Sequence, residues 1–238
     1  MMSRAIGQIV PSSNRTVERT TQAVLRHLPD VESCIARITY YGAGLGQPKH
    51  GYDQEGYKLA ARQLGHAKVD VVSWNGTKGA SIGLAEDEAL CGVMAEAAGC
   101  RATTASLDTA RLLRALGVRR AGFVTPGDTA YAEHSAANLG VTLAGVRALG
   151  LTDNLASAAV DPARIAEEVR ALARSTPCDA ILLWSTNLPG WSVVPALEAE
   201  LGIPVLDSAC IGIWGCLVAA GIDPAPAKSL GRMFSVPG

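Results

Sequence analysis

At 238 residues the chain is long enough for one large core or two small ones. Hydrophobic residues make up 48% and charged ones 18%, and the net charge is -1 with no long Lys/Arg run. That composition describes an ordinary globular protein and argues against a nucleic-acid groove or a membrane-surface binder. No apolar run approaches the roughly 20 residues needed to span a bilayer.

The opening MMSRAIGQIVPSSN lacks the long apolar region of a secretory signal and reads as a first strand over 5–10, so a cytoplasmic location is expected. Further strands are expected over 34–40, 69–73, 119–124, 141–148, 179–184 and 203–206. Between them lie TVERTTQAVLRHL, LDTARLLRALG and PARIAEEVRALARS, whose apolar residues recur at helical spacing. Alternation of this kind predicts an α/β fold with parallel sheets flanked by helices. The six cysteines, at 34, 91, 100, 178, 210 and 216, form no C-x-x-C pair, and the four His are scattered. Neither a metal site nor a disulfide framework is expected, and no cofactor motif is present.

An internal echo points to two halves. GQIVPSSNRT resembles AGFVTPGDTA, and DVVSWNGTKGAS resembles DAILLWSTNLPG; each is an apolar strand running into a small, polar turn. Two pseudo-symmetric domains would bring these strand ends to one interdomain cleft, where open α/β sheets hold their ligands. The division expected is 1–105 for the first half, 106–207 for the second, and a C-terminal helix over 208–238 packing back on the first.

Each corner has a structural and a functional reading. Ser13 or Asn14 reads first as a helix cap, although an Asn amide at a strand end can also face a carboxylate. In WNGTKG the glycines permit close backbone approach and Thr77 adds a hydroxyl, a plausible oxyanion cradle without the spacing of a P-loop. Lys78 reads as solvent-facing or paired with a carboxylate, and only as a minority reading as a desolvated base. Ser185, Thr186 and Asn187 follow the later strand, but Ser185 lies outside any G-x-S-x-G elbow. Trp74, Trp184 and Trp191 all fall beside the expected cleft, which suggests an apolar or aromatic lining.

Together IVPSSNRTVE, SWNGTKG, RATTASLDTARLLRALGVRRAGFVTP, LGLTDNLASAAVDP and LLWSTNLPGWSVVPALEAELGIPVLDS resemble the aspartate/glutamate racemase superfamily. The similarity is greatest to its maleate cis–trans isomerase and arylmalonate decarboxylase branch, and it spans nearly the whole chain in order. The resemblance implies cofactor-free and metal-free chemistry on a small carboxylate held between the halves. It gives Asn14 and Asn154 as substrate-binding positions and Thr77 as a carboxylate-holding hydroxyl. It also places Gly76 and Ser185 where racemising and isomerising members carry a cysteine pair. The family Tyr after the TP dipeptide is replaced by Gly127, with Tyr131 as its substitute.

The expected site is therefore Ser185, Gly76 and Lys78 as catalytic positions, with Asn14, Thr77, Asn154, Thr186, Tyr131 and Trp184 binding substrate. A thiol can be tuned to take a proton from carbon near neutral pH, whereas a serine hydroxyl cannot without a neighbouring base. Lyase, decarboxylase or isomerase-like chemistry through an enolate or oxyanion is the leading expectation. The rivals are a hydrolase with Ser185 as nucleophile and Lys78, His134 or His50 as base, and a catalytically silent carboxylate-binding protein. A small carboxylate is the expected partner, with homo-oligomerisation left open and no nucleic acid or membrane.

Overall fold

The structure, a computed structural model, describes residues 3–40 and 46–237. Its eight strands are β1 (Arg4–Pro11), β2 (Val31–Ile38), β3 (Val71–Trp74), β4 (Arg101–Thr104), β5 (Arg120–Thr125), β6 (Thr142–Ala148), β7 (Ala180–Leu183) and β8 (Val205–Asp207). They form two four-stranded sheets ordered β2-β1-β3-β4 and β6-β5-β7-β8, with every described pairing parallel. The second order is the first advanced by four strands, so the expected pseudo-symmetric α/β architecture is present. Parallel strands buried on both faces need apolar runs, and β7 supplies one in AILL, all four residues buried.

Helices cover both faces of each sheet. Against the outer face of the first lie α2 (Gln54–His66) and α4 (Leu84–Ala98), closing a core of Ile9, Tyr57, Leu64, Val72, Trp74, Leu90 and Met94. The outer face of the second is covered by α8 (Pro162–Ser175) and α9 (Val194–Leu201), around Ile165, Val169, Leu183 and Leu197. Between the sheets, α5 (Ala105–Ala115), α6 (Thr129–Leu139) and α10 (Ser208–Ala219) share one core with Ile6, Val71, Phe123, Trp184 and Leu206, strand residues from both halves. Helix α10 lies against β1, β3 and β4 of the first sheet, beside α5 and α1 (Val17–Leu25). The helix stop read at Gly117 is also present: α5 ends at Ala115, and Gly117 adopts φ +67° two residues later.

Three expectations need correcting. The C-terminal helix expected over 208–238 ends at Ala219, and only short 3-10 turns over Ala225–Leu230 and Arg232–Ser235 follow it. The segment expected as a strand over 34–40 pairs over Val31–Ile38, and β4 was not anticipated at all. RATT has no apolar run; it is a strand because it pairs in register with β3 and buries Thr103 and Thr104. Ladder register also shows that the two tryptophans are not equivalents. Ile9 pairs with Trp74 and its carbonyl accepts from Asn75, whereas Val124 pairs with Leu183 and its carbonyl accepts from Trp184. Trp74 thus corresponds to Leu183 and Asn75 to Trp184. Neighbouring strand positions face opposite sides, so Trp74 packs in the outer core and Trp184 in the central one. Counting on from there, Gly76 corresponds to Ser185 and Thr77 to Thr186.

Candidate active site

The C-terminal ends of β1, β3, β5 and β7 converge on a cavity of about 880 Å³ lined by residues of both halves. All nine expected site residues line it: Asn14, Gly76, Thr77, Lys78, Tyr131, Asn154, Trp184, Ser185 and Thr186. No cysteine lines it, and all six are free.

At the first corner Asn14 has both roles open to it. Its Oδ1 accepts from the N–H groups of Thr16 (2.9 Å) and Val17 (3.0 Å), holding the start of α1, while its Nδ2 donates to Thr186 Oγ1 across the cleft at 3.2 Å. Cap and cleft group are one side chain. The second bridge between the halves is Tyr131, whose hydroxyl donates to Thr77 Oγ1 at 2.8 Å; burial pushes that phenol well above its usual range. Tyr131 stands in the first turn of α6, held by Asp128 Oδ1 accepting from its N–H at 3.0 Å. Asn154 starts α7 (Asn154–Ala158) and donates from Nδ2 to Ser13 Oγ at 2.9 Å.

Ser185 is half-buried, and its Oγ accepts from the Asn187 N–H at 3.2 Å. Among the described residues no His, Lys or carboxylate hydrogen-bonds it. His134 and His50, expected as alternative bases, are exposed and do not line the cavity. Trp191 is likewise displaced from the expected site: it packs at the edge of the central core.

Lys78 departs from its solvent-facing reading. It begins α3 (Lys78–Ile82), is 8% exposed, and donates from Nζ to the Pro48 carbonyl at 2.5 Å. The ammonium lies 5.3 Å from the Tyr52 ring centroid and 5.9 Å from that of Tyr40. Burial lowers its pKa, and the field of Asp87 opposes that shift. Asp87 sits behind this wall, accepting from Tyr52 Oη and Thr104 Oγ1, and burial raises it to about 6. The carboxylate partner expected for Lys78 is therefore a neighbour through space, and the direct contact is a backbone carbonyl.

Asn187 is the residue whose importance the sequence left unmarked. Its Oδ1 accepts from the Arg15 N–H at 3.0 Å, its Nδ2 donates to the Asn154 carbonyl at 2.6 Å, and its own carbonyl accepts from Thr16 Oγ1 at 3.1 Å. One side chain from the second half thereby fixes the first corner. The only hint was its place in a run of three polar residues after β7. Thr125, at the end of β5, also lines the cavity with a buried hydroxyl that has no hydrogen-bond partner among the described residues.

A family model described as arylmalonate decarboxylase matches residues 21–234. The chain belongs to that family. It is 34% identical to the arylmalonate decarboxylase of Bordetella bronchiseptica, covering 96% of this chain and 95% of the relative. Its fold is shared at a TM-score of 0.81 with a liganded Gly-to-Cys, Cys-to-Ser double variant of arylmalonate decarboxylase, 30% identical over 98% of this chain and 99% of that one. A Cys-to-Ser variant of the Nocardia farcinica maleate cis–trans isomerase, carrying a covalently bound succinylcysteine intermediate, is 26% identical at a TM-score of 0.80, covering 97% and 98%. The chain is a decarboxylase- or isomerase-like member of this group of enzymes. Among its described residues no helix is long and apolar enough to cross a membrane, and no cluster of three or more His, Cys, Asp or Glu forms a candidate metal site.

Proposed function

We propose that the protein is a cofactor-independent enzyme that breaks or rearranges a bond next to a small organic carboxylate, through an enolate or oxyanion held in the cleft. The observation that carries this reading is the meeting of hydroxyl and amide groups from both halves at one cavity, with the pairs Asn14–Thr186 and Tyr131–Thr77 already hydrogen-bonded across it. Such groups lie ready to donate to an oxygen that gains charge, and one well-placed donor is worth about 3–4 kcal/mol in a site closed to water.

For a malonate-type substrate the bond to the departing carboxylate breaks and CO₂ leaves. The electron pair stays on the α-carbon, spread into the retained carboxylate as an enediolate. Thr77, Thr186, Asn14 and Asn154 hold that group, and the buried Lys78 adds positive charge to the same wall. Ser185 supplies the proton to the α-carbon and recovers it from water. An alcohol is a much weaker acid than a thiol, so protonation is slower than it would be from a cysteine at this position. We keep the division 1–105 with 208–238, and 106–207, supported by α10 lying against the first sheet. The serine-hydrolase reading lacks support, since Ser185 Oγ has a backbone amide as its neighbour and no base.

The test offers the protein malonate, an aryl-substituted malonate and maleate, following CO₂ release and product by proton NMR beside calorimetric titration. Binding with turnover of one of them is expected. If none binds and crystals soaked in each leave the cavity without ligand, the carboxylate reading is wrong.

A further inference from the structure

Positions 76 and 185 are equivalent in the two halves, yet one holds Gly and the other Ser, and their surroundings differ. A Cβ built on Gly76 would lie 2.4 Å from two ring carbons of Trp74 and 2.8 Å from its Nε1. The ring has little freedom to yield. Trp74 is 1% exposed, with the Tyr57 ring set edge-on at 5.0 Å and the Tyr40 ring tilted at 5.9 Å. In the second half the residue equivalent to Trp74 is Leu183. It aims its side chain at Gly190, where a Cβ would meet Leu183 Cδ1 at 2.2 Å, and the Ser185 side chain is accommodated.

We propose that Trp74 is the specificity-determining residue of the cleft: its indole fills the space a side chain at position 76 would need, and so confines proton transfer to the Ser185 side. The steric half of this statement stands on packing alone. The chemical half rests on the reading of the cleft as a carboxylate site. On that side the cleft presents an aromatic wall of Trp74 and Tyr40, both of which line the cavity. A carbon protonated from one side keeps one configuration, so the enzyme yields a single enantiomer from a prochiral substrate and does not racemise it.

Four chains test the steric half: the parent, Gly76→Cys, Trp74→Leu, and the double variant. Overpacking a rigid site makes Gly76→Cys alone lower Tm by about 3–10 °C, while the same change made on Trp74→Leu lowers it by less than half as much. Iodoacetamide labels the introduced thiol about tenfold faster in the double variant, where it has room to face the cavity. The chemical half is read by adding Ser185→Cys to both Gly76→Cys chains and following α-proton exchange of a 2-arylpropionate in D₂O. Exchange with loss of optical purity is expected only where Trp74 has been replaced.

If Gly76→Cys is as stable as the parent and is labelled as fast as the double variant, Trp74 excludes nothing and the proposal falls. If the stability coupling holds but malonate fails to protect the introduced thiol and no exchange appears, the one-sided chemistry is refuted together with the carboxylate reading, and only the packing relation survives. Malonate protection without any gain of exchange refutes the one-sided chemistry alone.

Discussion

Replacing Asn187 by Ala asks how much of the alignment between the halves depends on one side chain. Asn187 is 3% exposed and satisfies two backbone groups of other segments, the Arg15 N–H and the Asn154 carbonyl. Truncation leaves both without partners. A buried group left unpaired costs about 1–3 kcal/mol, and less where water can replace the partner. Both bonds are partly buried, so the lower half of that range applies to each, giving about 2–4 kcal/mol in total. For a chain of this size each kcal/mol moves Tm by about 2–4 °C, so a fall of roughly 4–16 °C follows. The assay is urea denaturation beside thermal melting, with Asn154→Ala as comparator. That variant removes only the bond to Ser13 Oγ and leaves the Asn154 carbonyl in place, so it should cost under about 1 kcal/mol. A stability for Asn187→Ala within about 0.5 kcal/mol of the parent, the range of an ordinary surface change, would refute the argument.

Asn14→Ala and Thr77→Ala should each weaken binding of a carboxylate ligand by about 1–3 kcal/mol in calorimetry, and Asn14→Ala should also lower stability by about 0.5–2 kcal/mol because the same side chain caps α1. Ser185→Ala should cut turnover with binding nearly unchanged; a loss confined to affinity would mark a pure binding protein. Iodoacetamide should leave native activity largely intact, since no cysteine lines the cavity and burial pushes the Cys91 thiol up to about 12; rapid inactivation traced to a cleft cysteine would show the opposite. Asp108 is fully buried, and burial raises it from 3.8 to about 7 against the opposing charge of Arg111. The folded state therefore holds this proton more tightly than the unfolded chain: the stabilisation is complete below about pH 4 and is lost as pH rises through about 7, a span of about 4 kcal/mol. Melting curves of Asp108→Asn across that range should fall less steeply than those of the parent, although Asp87 and Asp207, both raised to about 6, keep part of the slope in each.

The halves, most strands and the cleft were legible in the sequence because apolar strands and amphipathic helices alternate, and each strand end carries its polar residues in a short local run. What escaped was set by contacts distant in sequence. Lys78 is buried because Pro48, thirty residues earlier, brings a carbonyl to its ammonium and Tyr40 and Tyr52 close over it. Asp87 and Asp108 stand in helices where a single carboxylate reads as a solvated position; Tyr52 and Thr104 for one, Thr103 for the other, make them interior groups. The matched tryptophans misled for a different reason. A one-residue offset in a strand leaves the local pattern almost unchanged and turns the side chain to the other face, so only ladder register separates Trp74 from Trp184.

That register gives the cleft its symmetry and shows where it is broken. A twofold relation between halves requires each contact across it to occur twice, so a meeting of the β1 and β7 corners must return as a meeting of the β5 and β3 corners. It does: Asn14 donates to Thr186, and Tyr131 donates to Thr77, the equivalent threonine. The donors themselves are not equivalents, because Asn14 lies three residues past the end of β1 and Tyr131 six past the end of β5. The hydrogen bond is repeated with different side chains, and what is kept is a threonine hydroxyl held from the opposite half. One residue before each threonine the repetition stops, with Gly76 beneath an indole on one side and Ser185 with an open hydroxyl on the other. On the proposed reading, the paired threonines hold a carboxylate near the axis while the unequal neighbours set the direction from which its carbon is protonated. Exchanging the residues at 76 and 185 without touching Trp74 should then abolish turnover rather than invert the product, because the donor at 185 is gone and the indole leaves a serine at 76 no room to face the cavity.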